Sequence, residues 1–163
     1  MKQRNRWLAA ALAALGILLL TACGAKVQEV SMYDLHKAMS TPVSFSDMKY
    51  VSSAEDHADE LLENVSDISY SKVQGFFIYY AANGTGNADE LVAIQVKRPG
   101  DITEAVASLR AHLEKRRALY ATYDKTQLGK LDNGRVVSKN GVAALIVCDN
   151  PDQAEAAFYG FFD

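Results

Sequence analysis

Val73-Gln-Gly-Phe-Phe-Ile-Tyr-Tyr80 and Glu90-Leu-Val-Ala-Ile-Gln-Val-Lys97 flank the segment Asn83-Gly84-Thr85-Gly86-Asn87. Both runs have strand length and strand composition, rich in aromatic and β-branched residues. A Gly-rich connection between such runs reads as a hairpin. The pattern recurs downstream, where Arg135–Lys139 and Val142–Cys148 flank Asn140-Gly141. Asn-Gly is the strongest short hairpin signal, because both turn positions accept positive φ. Val43–Val51 reads as a weaker fifth strand. Consecutive hairpins build an antiparallel sheet, so the expected fold is α+β: four to five strands in two hairpins, with helices packed on them.

Helix starts are signalled between and around the strands. Ser31 with Asp34 opens Met32–Met39, and Ser53 with Asp56 opens Ala54–Asn64. Asp101 with Glu104 opens a long helix from Ile102 to about Tyr120, and Asp124 with Gln127 opens Lys125–Leu131. Asn150, Pro151 and Gln153 open a last helix to about Phe162. In each, the first side chain is placed to accept from an orphan N–H of the first turn. Along the long helix Ile102, Val106, Leu109, Leu113 and Tyr120 form an apolar stripe opposite Glu104, Ser108, His112 and Lys115.

Strand alternation adds a constraint. Phe76, Ile78 and Tyr80 face one way while Phe77 and Tyr79 face the other, and Val142–Cys148 is apolar on both sides. A sheet with one wet face alternates more cleanly. Helices therefore cover both faces, or one face around Phe77 and Tyr79 is a surface for a partner.

The first residues have a different logic. Lys2, Arg4 and Arg6 precede the apolar run Trp7 to Leu20, 14 residues long. That suits the hydrophobic region of an export signal and falls short of the roughly 20 residues that span a bilayer. Leu20-Thr21-Ala22-Cys23 then resembles a bacterial lipobox. The resemblance implies acylation of the Cys23 thiol and cleavage between Ala22 and Cys23. Residues 1–22 are expected to be a signal peptide, 23–30 a lipidated tether and 31–163 a single domain on the outer side of the cell membrane. Acyl chains anchor at about 0.8 kcal/mol per CH₂. The whole chain has 17 Lys+Arg, 20 Asp+Glu and net charge -3; loss of residues 1–22 removes three basic groups, leaving 141 residues at net -6. Such a domain is repelled by anionic headgroups, and it lacks the basic face of a nucleic-acid binder.

Chemistry is sparse along the chain. Gly84-Thr85-Gly86 joins two strands, so no helix N-terminus follows to cradle a phosphate. The acids Glu55, Asp56, Asp59, Glu60 and Glu63 read as a solvated helix face rather than a cation cage. His36, His57 and His112 fall on three separate expected helices, without zinc-motif spacing. No G-x-S-x-G elbow is present, so no catalytic residue, metal or cofactor is assigned. Arg110 with Glu114 reads as a surface i,i+4 pair, near Arg116 and Arg117. Tyr79, Tyr80, Tyr120 and Tyr123 read as core aromatics with a polar tip. Cys148, in an apolar strand, reads as a buried small hydrophobe.

Four segments carry a family resemblance. Ala88-Asp89-Glu90-Leu91-Val92-Ala93-Ile94-Gln95-Val96-Lys97 resembles the signature of the family called domain of unknown function 4358. The long helix ending in Tyr120-Ala121-Thr122-Tyr123, the Val136-Val137-Ser138-Lys139-Asn140-Gly141 turn and the Ala154-Glu155-Ala156-Ala157-Phe158 ending resemble it too. The family pattern often has an Arg just before the Leu that is Leu113 here, where this chain has His112. The resemblance implies a small lipoprotein of Gram-positive bacteria with no established activity. From the lipobox, the single α+β domain and the lack of a convergent polar site, the expected role is a non-catalytic extracytoplasmic binding or assembly module. Its partners would be the membrane, through the N-terminal lipid, and an envelope protein or small ligand. The alternative is a cell-envelope hydrolase or wall-modifying enzyme whose residues meet only in three dimensions.

Overall fold

The computed structural model describes residues 27–82 and 86–163. Ala22 and Cys23, with the rest of the expected signal segment, lie outside the described residues, as do Gly84 and Thr85.

Helix α1 is Met32–Ser40, followed by strand β1, Met48–Ser52, and the short helix α2, Ala58–Glu63. Strands β2, Val73–Ala81, and β3, Glu90–Val96, form the first hairpin. Helix α3, Ile102–Tyr123, and the short α4, Leu128–Asp132, lead to β4, Arg135–Lys139, and β5, Val142–Val147. Helix α5, Pro151–Gly160, closes the chain. The five strands form one antiparallel sheet in the order β1-β2-β3-β5-β4. The α+β expectation is met, with the weak strand trimmed to Met48–Ser52.

Helices cover both sides of the sheet. On one face Phe76, Ile78, Val92 and Leu145 pack against Leu62 of α2 and Leu109 and Leu113 of α3. On the other, Phe77, Leu91, Ala144 and Ile146 pack against Leu35 and Met39 of α1 and Phe158 of α5. All seven residues of β3 are buried, which explains its near-continuous apolar run. Fully burying a side chain such as Phe76 or Leu109 stabilises by about 1.5–3 kcal/mol. Coverage also decides the fate of the expected partner patch. Phe77 is wholly buried beneath α1, and Tyr79 is half-buried beside Phe45 and His36, so these two residues do not form an exposed surface.

The caps divide into those that form and those that do not. Ser31 Oγ accepts from Asp34 N at 3.2 Å, as expected. Asp124 accepts from Thr126 N at 3.0 Å, but opens a 3₁₀ turn before α4 rather than a continuous α-helix. Ser53 does not cap α2. Its backbone N donates to Phe76 O, and its Oγ accepts from Phe76 N at 3.3 Å, so it prolongs the β1–β2 edge. Helix α2 begins instead after His57, which takes a left-handed φ of 58°. Asp101 sits in a 3₁₀ turn with helical backbone angles, which aim its carboxylate at Arg98 rather than at the α3 amides.

Asn140 and Gly141 have φ of 52° and 76°, the turn that the Asn-Gly pair requires. A Cβ on Gly141 would lie 2.5 Å from Val27 Cγ1. Gly141→Ala is therefore expected to cost about 1–3 kcal/mol in urea unfolding, from the backbone conformation and the clash together. Gly100, with open space around it and no positive φ, serves as the control, and Gly100→Ala stays within about 0.5 kcal/mol of wild type.

Candidate functional site

Helix α3 runs for 22 residues, about 33 Å, across β3, β5 and β4. Helix α2 has only 6 residues and covers β1 and β2 incompletely. Between the two helices lies a cleft of about 360 Å³. Val51, Leu61, Val65 and Ile78 give it apolar walls, and Asn64, Tyr80, Glu90 and His112 bring polar groups. That volume and mixture suit a small-molecule site, which is typically apolar with a few placed polar atoms.

Glu90, the first residue of β3, is buried at the floor of this region. Its Oε2 accepts from His112 Nε2 at 3.0 Å and from Arg116 Nη1 at 2.8 Å. His112 and Arg116 are one helical turn apart on α3, so one face of that helix presents both donors to the strand. Burial alone would raise the Glu90 pKa. The His112 hydrogen bond and the Arg116 charge outweigh it and hold the carboxyl below its ordinary value. With the Glu90 carboxylate ionised, Nε2 carries the proton facing it. The partner of one ring nitrogen fixes the role of the other. In the neutral ring the other nitrogen, Nδ1, is then an acceptor that Glu90 does not engage.

A second polar group closes the neighbouring end of the sheet. Lys130 Nζ donates to Asp89 Oδ1 at 2.8 Å and to Asn87 Oδ1 at 3.1 Å, and lies 3.3 Å from Asp149 Oδ2. Burial works against the Lys130 charge, but Asp89 and Asp149 prevail and raise its pKa. Tyr120 Oη donates to Asn87 O at 3.0 Å, and Gln127 Oε1 accepts from Ala88 N at 3.1 Å. Each of these groups is spent on another, so this network holds the β3 entry to α3 and α4. Asp149, 73% exposed, is the solvent-facing member of this network.

The remaining sequence candidates are dispersed. His57 is exposed and stands 3.7 Å from Glu60, while His36 is buried on the opposite sheet face from His112. Glu114 pairs with Arg117, not with Arg110, and Arg117 also donates to Leu131 O. Tyr80 lines the cleft, Tyr120 is buried, and Tyr123 is exposed. Cys148 is buried, which pushes its thiol up to about 11. The expected acidic helix face borders a larger hollow of about 490 Å³, lined by Asp59, Glu63, Asp67 and Tyr70. Among the described residues no group of three His, Cys, Asp or Glu side chains is arranged to hold a metal ion. The cleft is the stronger candidate because it alone combines a buried ionised carboxylate with an imidazole.

Glu90 and Arg116 make a pH-dependent pair. A carboxyl whose folded pKa is depressed contributes stability above its ordinary value of 4.5, and loses it as pH falls through the folded value. Arg116→Met strands a buried carboxylate and is expected to cost about 3–5 kcal/mol near neutrality. In the variant Glu90 takes up a proton more readily, so the stability gap to wild type narrows as the pH falls to about 4. Urea titrations across that range check this. A gap that stays constant would mean that packing, not charge, was lost.

Neither the curated proteins nor the solved structures contain a match to the chain. A family model described as domain of unknown function (DUF4358) matches residues 46–148, well over half of the 163 residues. The matched stretch runs from just before β1 to just past β5 and contains both Glu90 and His112. The chain therefore belongs to the domain of unknown function 4358 family.

Proposed function

We propose that this chain is a bacterial lipoprotein, anchored through acylated Cys23 on the extracytoplasmic side of the cell membrane, whose domain binds a small ligand in the α2–α3 cleft without transforming it. The anchor rests on the basic start, the 14-residue apolar run and Leu20-Thr21-Ala22-Cys23. No described helix is long and apolar enough to cross a membrane. The binding role rests on one observation: His112, oriented by buried Glu90, lines an apolar-walled cleft in which none of the lining residues is Ser, Thr or Cys. An oriented imidazole can hold a donor group of a ligand, and no Ser, Thr or Cys lines the cleft for it to activate as a nucleophile.

A second reading has one observation in its favour. A carboxylate that orients a histidine is two-thirds of a hydrolytic triad, and water could serve as the nucleophile. The wall-modifying alternative therefore predicts turnover of cell-wall fragments by purified protein, lost in His112→Ala. The binding reading predicts none.

Two experiments test the proposal. Cells fed a fatty-acid analogue are expected to label the wild-type chain and not Cys23→Ala. Undiminished label on the variant would sink the anchor. For the cleft, the purified chain is incubated with envelope small-molecule extract and the retained compounds are read by mass spectrometry. Leu61→Trp, which fills the cleft, should retain the selected compound at least about tenfold less than wild type, about 1.4 kcal/mol. Equal retention would place the ligand elsewhere.

A further inference from the structure

His36 on α1 is the one buried side chain, among the described residues, whose polar atoms have no hydrogen-bond partner: both Nδ1 and Nε2 are unsatisfied. The residue is 8% exposed. Its ring sits among four aromatic rings, with centroids 4.6 Å from Tyr50, 4.5 Å from Tyr79, 5.4 Å from Phe77 and 6.4 Å from Tyr33. A buried polar group without a partner costs about 1–3 kcal/mol, and a leucine or phenylalanine would fill this space without that cost.

The surroundings are specific in what they withhold. From β1 comes the Tyr50 phenol, from β2 the Phe77 ring and the Tyr79 phenol, and from α1 itself Tyr33 and the cation of Lys37. None of these is a carboxylate. The aromatic faces favour a cation, but the ring N–H groups of an imidazolium would have no acceptor. The site thus takes a neutral imidazole and resists a charged one. Desolvation, and secondarily Lys37, lower the His36 pKa in keeping with this.

We propose that His36 is a proton-operated latch on α1: the docked helix holds the neutral ring, and protonation favours the opened helix. The sign follows from linkage. The opened form binds the proton at the ordinary value of 6.5, while the docked form binds it only at lower pH. Above 6.5 the two forms compete without a proton and docking is unopposed. Below 6.5 the opened fraction rises by up to about tenfold per pH unit, until the folded value is reached. Leu35 and Met39 keep α1 docked as the majority form, so acid raises the opened fraction without unfolding the domain. Each opening uncovers Phe77 and Leu91, both fully buried when α1 is docked. The latch depends on the fold alone and stands whether or not Cys23 is acylated or the cleft is occupied.

Hydrogen exchange on the full chain in detergent tests it. Exchange rates are corrected for the intrinsic effect of pH on amide chemistry. Between about pH 6.5 and 5.5 the protection of α1 amides, Leu35–Ser40, is expected to fall by up to about fivefold, with α3 amides unchanged. His36→Phe should abolish this response, and His57→Asn, at an exposed histidine, should keep it. A pH response equal in wild type and His36→Phe, or absent from wild type, overturns the latch. Should His36→Phe fail to fold, the imidazole NMR titration of wild type decides. A His36 midpoint clearly below that of exposed His57 supports the latch, and one equal to or above it overturns the proposal.

Discussion

The structure is organised by the burial of β3 on both faces. Glu90 to Val96 has no solvated side, so α3 must lie on one face and α1 with α5 on the other. Burial also sets the terms for the charges at the start of that strand. Asp89 and Glu90 are both buried, and a buried carboxylate persists only when paired and hydrogen-bonded. Lys130 answers Asp89, while His112 and Arg116 answer Glu90. The two sets of donors come from α4 and α3. Asp89, just before β3, and Glu90, its first residue, thereby fix the position of the helices above the strand, and a cleft is left where α2 is too short to complete the cover.

Much of this was legible in the chain because periodicity reports burial directly. The alternation of Phe76–Tyr80 and the two-sided apolar run of Val142–Cys148 left two options, helices on both faces or one apolar face for a partner. The Asn140-Gly141 pair required positive φ twice, and the structure has it. Cap signals were less reliable for a physical reason. A Ser or Asp side chain serves whichever amide its backbone aims it at. Ser31, extended, reaches its helix, whereas Ser53 reaches Phe76 across the sheet edge and Asp101 turns to Arg98.

The site itself was hidden because its parts are distant in sequence. Glu90 and His112 are separated by 22 positions and belong to different elements. As the first residue of a strand, Glu90 reads as a solvated boundary. A signal did exist on α3, where His112 and Arg116 stand four apart and form a donor stripe beside the apolar one. Two such donors against a buried sheet imply an acid facing them. The Phe77 and Tyr79 patch misled in the opposite sense: an apolar strand face looks the same in sequence whether a partner or the protein's own α1 covers it.

Glu90, held ionised in the core, sets the orientation of His112 and leaves one ring nitrogen for the cleft. The most direct measurement is the tautomer of His112, read from long-range ¹⁵N–¹H couplings of the imidazole in wild type near pH 7.5. The expected result is a proton on Nε2, facing Glu90. A neutral ring with its only proton on Nδ1 would contradict it, since Glu90 would then have lost its histidine donor and the cleft its acceptor.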